Sequence, residues 1–166
     1  MSEYILGVLA DTHGRMHPAV VPTFVEHGVA KILHAGDIGR VTVLDTLGVI
    51  APVIAVRGNV DHGEWAAALP LVADLVAAGN RLIMTHIGGR PERPAPEVAR
   101  LLAEARPALF ICGHSHQPRS APMDGGGLWL NPGAAGRQGF HRRATVAIVR
   151  LVPGTVQAEL LDLGPR

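Results

Sequence analysis

Five short apolar runs, each closing within a few residues on a glycine set beside an aspartate, asparagine or histidine, constrain this chain more than any other feature. They read "YILGVLAD", "AKILHAGD", "APVIAVRGN", "RLIMTHIGG" and "ALFICGHSH". Continuous apolar runs of this length, rich in β-formers, are the pattern of strands buried on both faces. The first three alternate with helical stretches. "VVPTFVEHG" stops at Gly28, with Pro22 expected in its first turn, and "VTVLDTLG" is short. Strand, helix, strand, helix, strand at this spacing predicts parallel pairing through crossover connections.

The second half changes character. "LVADLVAAGNRLIMTH" predicts two strands around a turn at Gly79-Asn80. "APEVARLLAEARP" predicts a helix with Val98, Leu101, Leu102 and Ala105 on one side and Pro107 as its stop. "APMDGGGLWLNPG" and "ATVAIVRLVPGTVQAELLDL" each predict a hairpin, the second turning at Pro153-Gly154. Helices early and hairpins late imply an α/β (α+β) fold: one mixed sheet, or two sheets packed together, with helices outside.

With 166 residues, 48% hydrophobic and 17% charged, the chain has the size of one domain spanning 1–166 and enough apolar content for a core. The net charge of +1 gives no electrostatic argument for binding nucleic acid or an anionic membrane. A single cysteine, Cys112, fits a reducing compartment. The opening residues lack a basic leader region, and no apolar stretch approaches the ~20 residues of a membrane span. The expected location is cytoplasmic. A homo-oligomer is compatible with all of this, and the oligomeric state is open.

The polar residues at the strand ends are Asp11 and His13, Asp37, Asn59, His86, and His114 with His116. The carboxyl ends of parallel strands gather at one edge of a sheet, so the fold can bring these groups together. Singly, each has an ordinary reading as a turn residue or a satisfied histidine. Gly-His-x-His is more specific, because one intervening residue on an extended segment puts both rings on one side. Imidazole, carboxylate and amide donors without thiolate suit divalent ions such as Mn, Fe, Ni or Zn. Seven donors exceed what one catalytic tetrahedral ion takes from protein, and they fit two ions sharing a carboxylate. Such a pair suits an anionic, hydrolysable substrate.

These blocks, "DTHG" at Asp11, "GD" at Gly36, "GNVD" at Gly58, "TH" at His86 and "GHSH" at Gly113, resemble the signature of the calcineurin-like metallophosphoesterases. "NPG" at Asn131 and the closing hairpins are similar to the small prokaryotic phosphodiesterase branch. The resemblance implies a four-layer αββα sandwich of two mixed β-sheets flanked by helices. It implies two divalent metal ions, manganese the expected one, with Fe, Ni, Zn or Mg as alternatives. Asp11, His13 and His116 would hold the first ion and Asn59, His86 and His114 the second, with Asp37 bridging. A hydroxide between the ions would attack phosphorus in line with the leaving oxygen. The implied activity is hydrolysis of a small phosphodiester. The alternatives are a phosphomonoesterase or nucleotidase on the same site, and a non-catalytic interaction scaffold of the same fold.

One block departs from the family. Many members carry a histidine where this chain has Val60, and that histidine is thought to protonate the leaving group or steady the phosphate. His62 is the nearby candidate for general acid, set against a plain reading as a solvated loop residue. Asp61 is the candidate to support the site by hydrogen bonding. Arg137 is the candidate to contact the substrate phosphate, set against a solvated basic turn. His17, His27, His34 and His141 have no motif context and read as ordinary histidines. Trp65, Trp129 and Cys112 read as packing residues.

Overall fold

The computed structural model describes residues 3–166. The chain begins with β1 (Tyr4–Leu9), α1 (Val20–Glu26), β2 (Lys31–His34), α2 (Val41–Gly48) and β3 (Val53–Ala55). A one-turn helix α3 (Glu64–Ala67) leads into β4 (Val72–Ala77) and β5 (Asn80–Thr85). A small ribbon of β6 (Gly89–Arg90) and β7 (Arg93–Pro94) precedes α4 (Pro96–Ala105) and β8 (Leu109–Ile111). The hairpins β9 (Arg119–Pro122) with β10 (Leu128–Asn131), and β11 (Arg143–Val152) with β12 (Thr155–Pro165), complete it.

Two five-stranded sheets form, in the orders β12-β11-β1-β2-β3 and β4-β5-β8-β10-β9. As the alternation of elements predicts, β1, β2 and β3 pair in parallel. So do β5, β8 and β10, with antiparallel strands at the edges making both sheets mixed.

Side-chain alternation explains the layering. Along β1, Leu6 and Val8 enter the same cluster as Leu82 and Met84 of β5 and Leu109 and Ile111 of β8, which is the seam between the sheets. Leu9, with Ile32 and Ile148, turns the other way to pack under α1 and α2 around Phe24 and Leu47. Ile83 and Phe110 turn outward on the second sheet and pack against Val98, Leu101, Leu102 and Ala105 of α4. Strands with a helix on one side and a sheet on the other are dry on both faces, hence apolar without interruption. The result is the αββα sandwich.

Three local features differ from the sequence expectation. The β4–β5 turn is Ala78-Gly79, both at positive φ (47° and 74°), because Asn80 already pairs with Ala77. The Asn80 side chain donates to the Ala78 and Val152 carbonyls, which fixes it as the first residue of the strand. The single turn of α3 and the two-residue strands β6 and β7 are too short to leave a periodic trace. Pro22 does fall in the first turn of α1. Among the described residues no helix is long and apolar enough to cross a membrane.

Candidate metal centre

Asp11 and His13 follow β1, Asp37 follows β2, Asn59 follows β3, His86 follows β5, and His114 and His116 follow β8. The fold gathers all seven at one edge of the sandwich. Two triads result, Asp11 with His13 and His116, and Asp37 with His86 and His114, each offering donor atoms within 4.8 Å of one another. Asn59 places Oδ1 2.9 Å from His86 Nε2 and 3.0 Å from His114 Nδ1. Asp37 Oδ2 lies 3.3 Å from His86 Nε2 and 3.9 Å from His13 Nε2, so one carboxylate oxygen faces both triads.

The backbone is bent to achieve this. Asp11, His13, Asp37, His114 and His116 all have positive φ, between 46° and 69°. Left-handed backbone at non-glycine positions costs roughly 1–3 kcal/mol each and persists only where the surroundings enforce it. Here the loops are cross-stitched: Asp11 N–H donates to Gly36 O, His13 N–H to Asp37 O, and Gly113 N–H to His86 O, at 2.9–3.0 Å. Two glycines are required by close approach. A Cβ on Gly58 would sit 2.1 Å from Asp37 N and Oδ1, and one on Gly36 would sit 2.7 Å from His86 Nδ1.

Donor and acceptor logic shows what the cluster lacks. His86 Nδ1 lies 2.7 Å from Ala35 O and carries a proton, so Nε2, facing Asp37 Oδ2 and Asn59 Oδ1, donates to them in the charged ring and is a bare donor atom for a metal in the neutral one. The first triad is set by a longer chain. His141 Nε2 donates to Gly136 O (2.8 Å), which leaves His141 Nδ1 bare to accept from His116 Nδ1 (3.2 Å). His116 therefore presents a bare Nε2, 3.3 Å from His13 Nε2 and 3.5 Å from Asp11 Oδ1. That oxygen is buried with no hydrogen-bond partner among the described residues. Lone pairs converging on an orphaned buried carboxylate oxygen suit a cation. Both triads, built from nitrogen and oxygen donors alone, fit a divalent ion.

Charges follow the same logic. Burial would raise the Asp37 carboxyl, but hydrogen bonds from His86 and from Val60 N–H, with the His86 and His13 charges, hold it below the usual range. Burial would lower His86, yet the hydrogen bond and charge of Asp37, the charge of Asp11 and the Ala35 contact leave it raised above 6.5. Metal binding must therefore displace a proton from His86 and weakens as pH falls. His141 is lowered by burial, which keeps it neutral and able to accept from His116.

The remaining candidates lie around this cluster. Asp61 is buried, and its two oxygens accept from Gly39 N–H and Gly58 N–H at 2.8 Å, fixing the loops that carry Asp37 and Asn59. Val60 donates its N–H to Asp37 Oδ1 (3.0 Å), and its side chain lines the cleft over the metal centre. His62 is exposed and lines a neighbouring groove instead. Arg137 is exposed; Gln138, Gly139 and Phe140, next to it, line the cleft.

Sequence reasoning passed over His141, Phe140 and Asn131 as site residues. Phe140 stacks on His116 with ring centroids 4.5 Å apart and planes 8° from parallel. Asn131 donates to Gly113 O (2.9 Å) and Ser115 Oγ (3.1 Å), holding the Gly-His-Ser-His loop. Their only signal was position, before and within the loop that closes on the cleft. We expect His141→Ala to weaken divalent-ion affinity about 10- to 100-fold, because His116 loses the acceptor that fixes its tautomer. Titration of the metal-free variant with Mn by calorimetry reads this, and unchanged affinity would mean that His116 is oriented by packing alone.

An αββα sandwich with two donor triads at one strand edge defines a metal-binding frame. Residues 5–153 match the model of the calcineurin-like phosphoesterase superfamily domain, and the chain belongs to that superfamily. It is 30% identical over 133 residues to a probable metallophosphoesterase of Methanothermobacter thermautotrophicus, spanning 78% of this chain and 76% of that protein. Its fold is similar to that of a novel archaeal phosphodiesterase, with TM-score 0.75 and 20% identity over 95% of this chain and 99% of the other. It is equally similar in fold to Vps29 of Chaetomium thermophilum, with TM-score 0.75 and 17% identity over 98% and 100% of the two chains.

Proposed function

We propose that the protein is a metal-dependent phosphodiesterase holding two divalent ions, manganese the expected pair, with Asp37 shared between them. The observation that carries this reading is the pair of complete donor triads turned toward one Asp37 oxygen, open to solvent through a cleft of about 410 Å³. Two ions held by Asp11, His13 and His116 and by Asn59, His86 and His114, with Asp37 shared, would supply Lewis acidity for the hydrolysis of a phosphate ester. The chain's own contribution is to hold seven donors in place, to fix the tautomers of His86 and His116, and to shape the cleft.

The cleft favours a diester over a monoester. Its lining includes no lysine or arginine, so only the metal centre is there to balance substrate charge. A diester brings one negative charge and a monoester nearly two, as for any phosphate near neutral pH. Val60 lines the cleft at the position where the resemblance implies a histidine acid, and its lack of a proton to give favours leaving groups stable without one.

Hydrolysis of bis-p-nitrophenyl phosphate and p-nitrophenyl phosphate, with Mn added and with chelator, tests the proposal. The expected result is Mn-dependent release, faster from the diester. Release from the monoester alone would establish the phosphomonoesterase instead. Release from neither would leave the non-catalytic interaction scaffold.

A further inference from the structure

Two clefts meet at Asn59. One holds the donor atoms and has Val60 and Phe140 as apolar walls. The other, about 650 Å³, lies beyond Asn59 and His86 and is walled by Leu71, Val72 and Ile87. These three side chains are 59%, 45% and 49% exposed. Large aliphatic groups left in water together, in a concavity that begins at two metal-ligating residues, call for an apolar occupant that also reaches the metal centre. Arg57, His62 and Glu97 are also on the lining, with Asp61 and Thr85, and add hydrogen-bonding groups. A mostly apolar wall with sparse polar groups, in a volume of 300–1,000 Å³, is the usual make-up of a small-molecule site.

We infer that this groove seats one ester substituent of the diester, a flat, weakly polar aromatic group such as an aryl ring or a nucleobase. Leu71 and Val72 are then specificity-determining residues. The inference rests on the phosphodiesterase reading and deepens it. Phosphorus at the metal centre stands where the two clefts join, so a diester can place one substituent in each. A phosphomonoester has a single substituent and leaves one cleft empty. The Arg57 guanidinium, on the groove lining, suits the face of such a ring as well as its polar edge.

The test compares the Mn-loaded wild type with Leu71→Ser/Val72→Ser. Both sites are partly in solvent, so the fold tolerates the changes, and none of the substitutions adds charge near the phosphate. Hydrolysis of bis-p-nitrophenyl phosphate is the reporter, with diphenyl phosphate and inorganic phosphate as competing inhibitors. In the double serine variant, kcat/KM is expected to fall about tenfold, through KM, with a similar weakening of diphenyl phosphate. Inhibition by inorganic phosphate, which reaches only the metal centre, stays unchanged. Equal weakening of both inhibitors would place the effect at the metal centre and overturn the assignment. Unchanged kinetics would overturn it as well, leaving the apolar wall to some other use such as a protein contact. A wild type that hydrolyses no diester would bring down the phosphodiesterase reading and this inference with it, a result distinct from the other two.

Discussion

Replacing Asp37 is expected to empty both metal sites at once and to lower diester hydrolysis by on the order of 10³ or more. The reason is the placement of one atom. Asp37 Oδ2 is 3.3 Å from His86 Nε2 in one triad and 3.9 Å from His13 Nε2 in the other, while Oδ1 is tied to Val60 N–H. Without that oxygen each of the two proposed ions would lose a negative donor, and the pair would lose the charge that offsets its mutual repulsion. Asp37→Asn is the cleaner variant and Asp37→Ala the harsher. Asparagine accepts the left-handed backbone at φ 54° at little cost, keeps an acceptor for Val60, and puts an amide nitrogen that cannot ligate a metal in place of Oδ2. The loop itself should survive, since His13 N–H to Asp37 O and Asp11 N–H to Gly36 O are main-chain bonds. Elemental analysis of the purified variants reads the result. Occupancy retained at both sites, or lost at only one, would show that Asp37 is not shared.

Much of this site was legible because every donor follows the end of a strand. A strand end is the most strongly marked point in such a sequence: an apolar run stops, a glycine permits the bend, and a polar residue follows. The order of the strands in space was not needed to see that His86 and His116 converge. What stayed hidden depends on side chains meeting across loops. His141 sits 25 residues beyond His116 in a segment with no periodicity, and only its 3.2 Å contact reveals its part. Asn131 was visible as part of a motif but not as the clamp on Gly113 and Ser115. The β4–β5 turn slipped by one residue because Asn80 is a strong turn former whose side chain is used differently here, bridging to Val152 O. Tertiary hydrogen bonding overrode a local preference.

His34 is an ordinary histidine by its sequence context, yet the largest pH effect on stability is expected there. It is fully buried at the end of β2. Gly36 N–H donates to its Nδ1 (3.2 Å), so its Nε2 carries the proton and donates to Thr12 Oγ1 (3.0 Å), which passes its own to Ile38 O (3.0 Å). Every hydrogen-bonding atom of the neutral ring is used, and the charged form would turn Nδ1–H against a donor. Burial first, and then the positive charge of His86, push its pKa down from 6.5 to about 3. The unfolded chain therefore binds a proton that the folded chain refuses throughout that interval. Stability is complete above pH 6.5 and drains away as pH falls toward 3, by up to about 5 kcal/mol from this residue. His86, raised above 6.5 in the metal-free protein, gives stability that is already complete below pH 6.5 and so does not offset this loss. Comparison with His34→Gln isolates the effect, because glutamine keeps a donor for Thr12 and cannot titrate. Urea unfolding with chelator, from about pH 7 down to about pH 4, should find the variant less stable at neutral pH by about 1–2 kcal/mol for the lost Gly36 contact. Its stability should then fall more gently on acidification, so that the two curves converge. Parallel curves would mean that the acid sensitivity belongs to the metal cluster and not to the ring behind it.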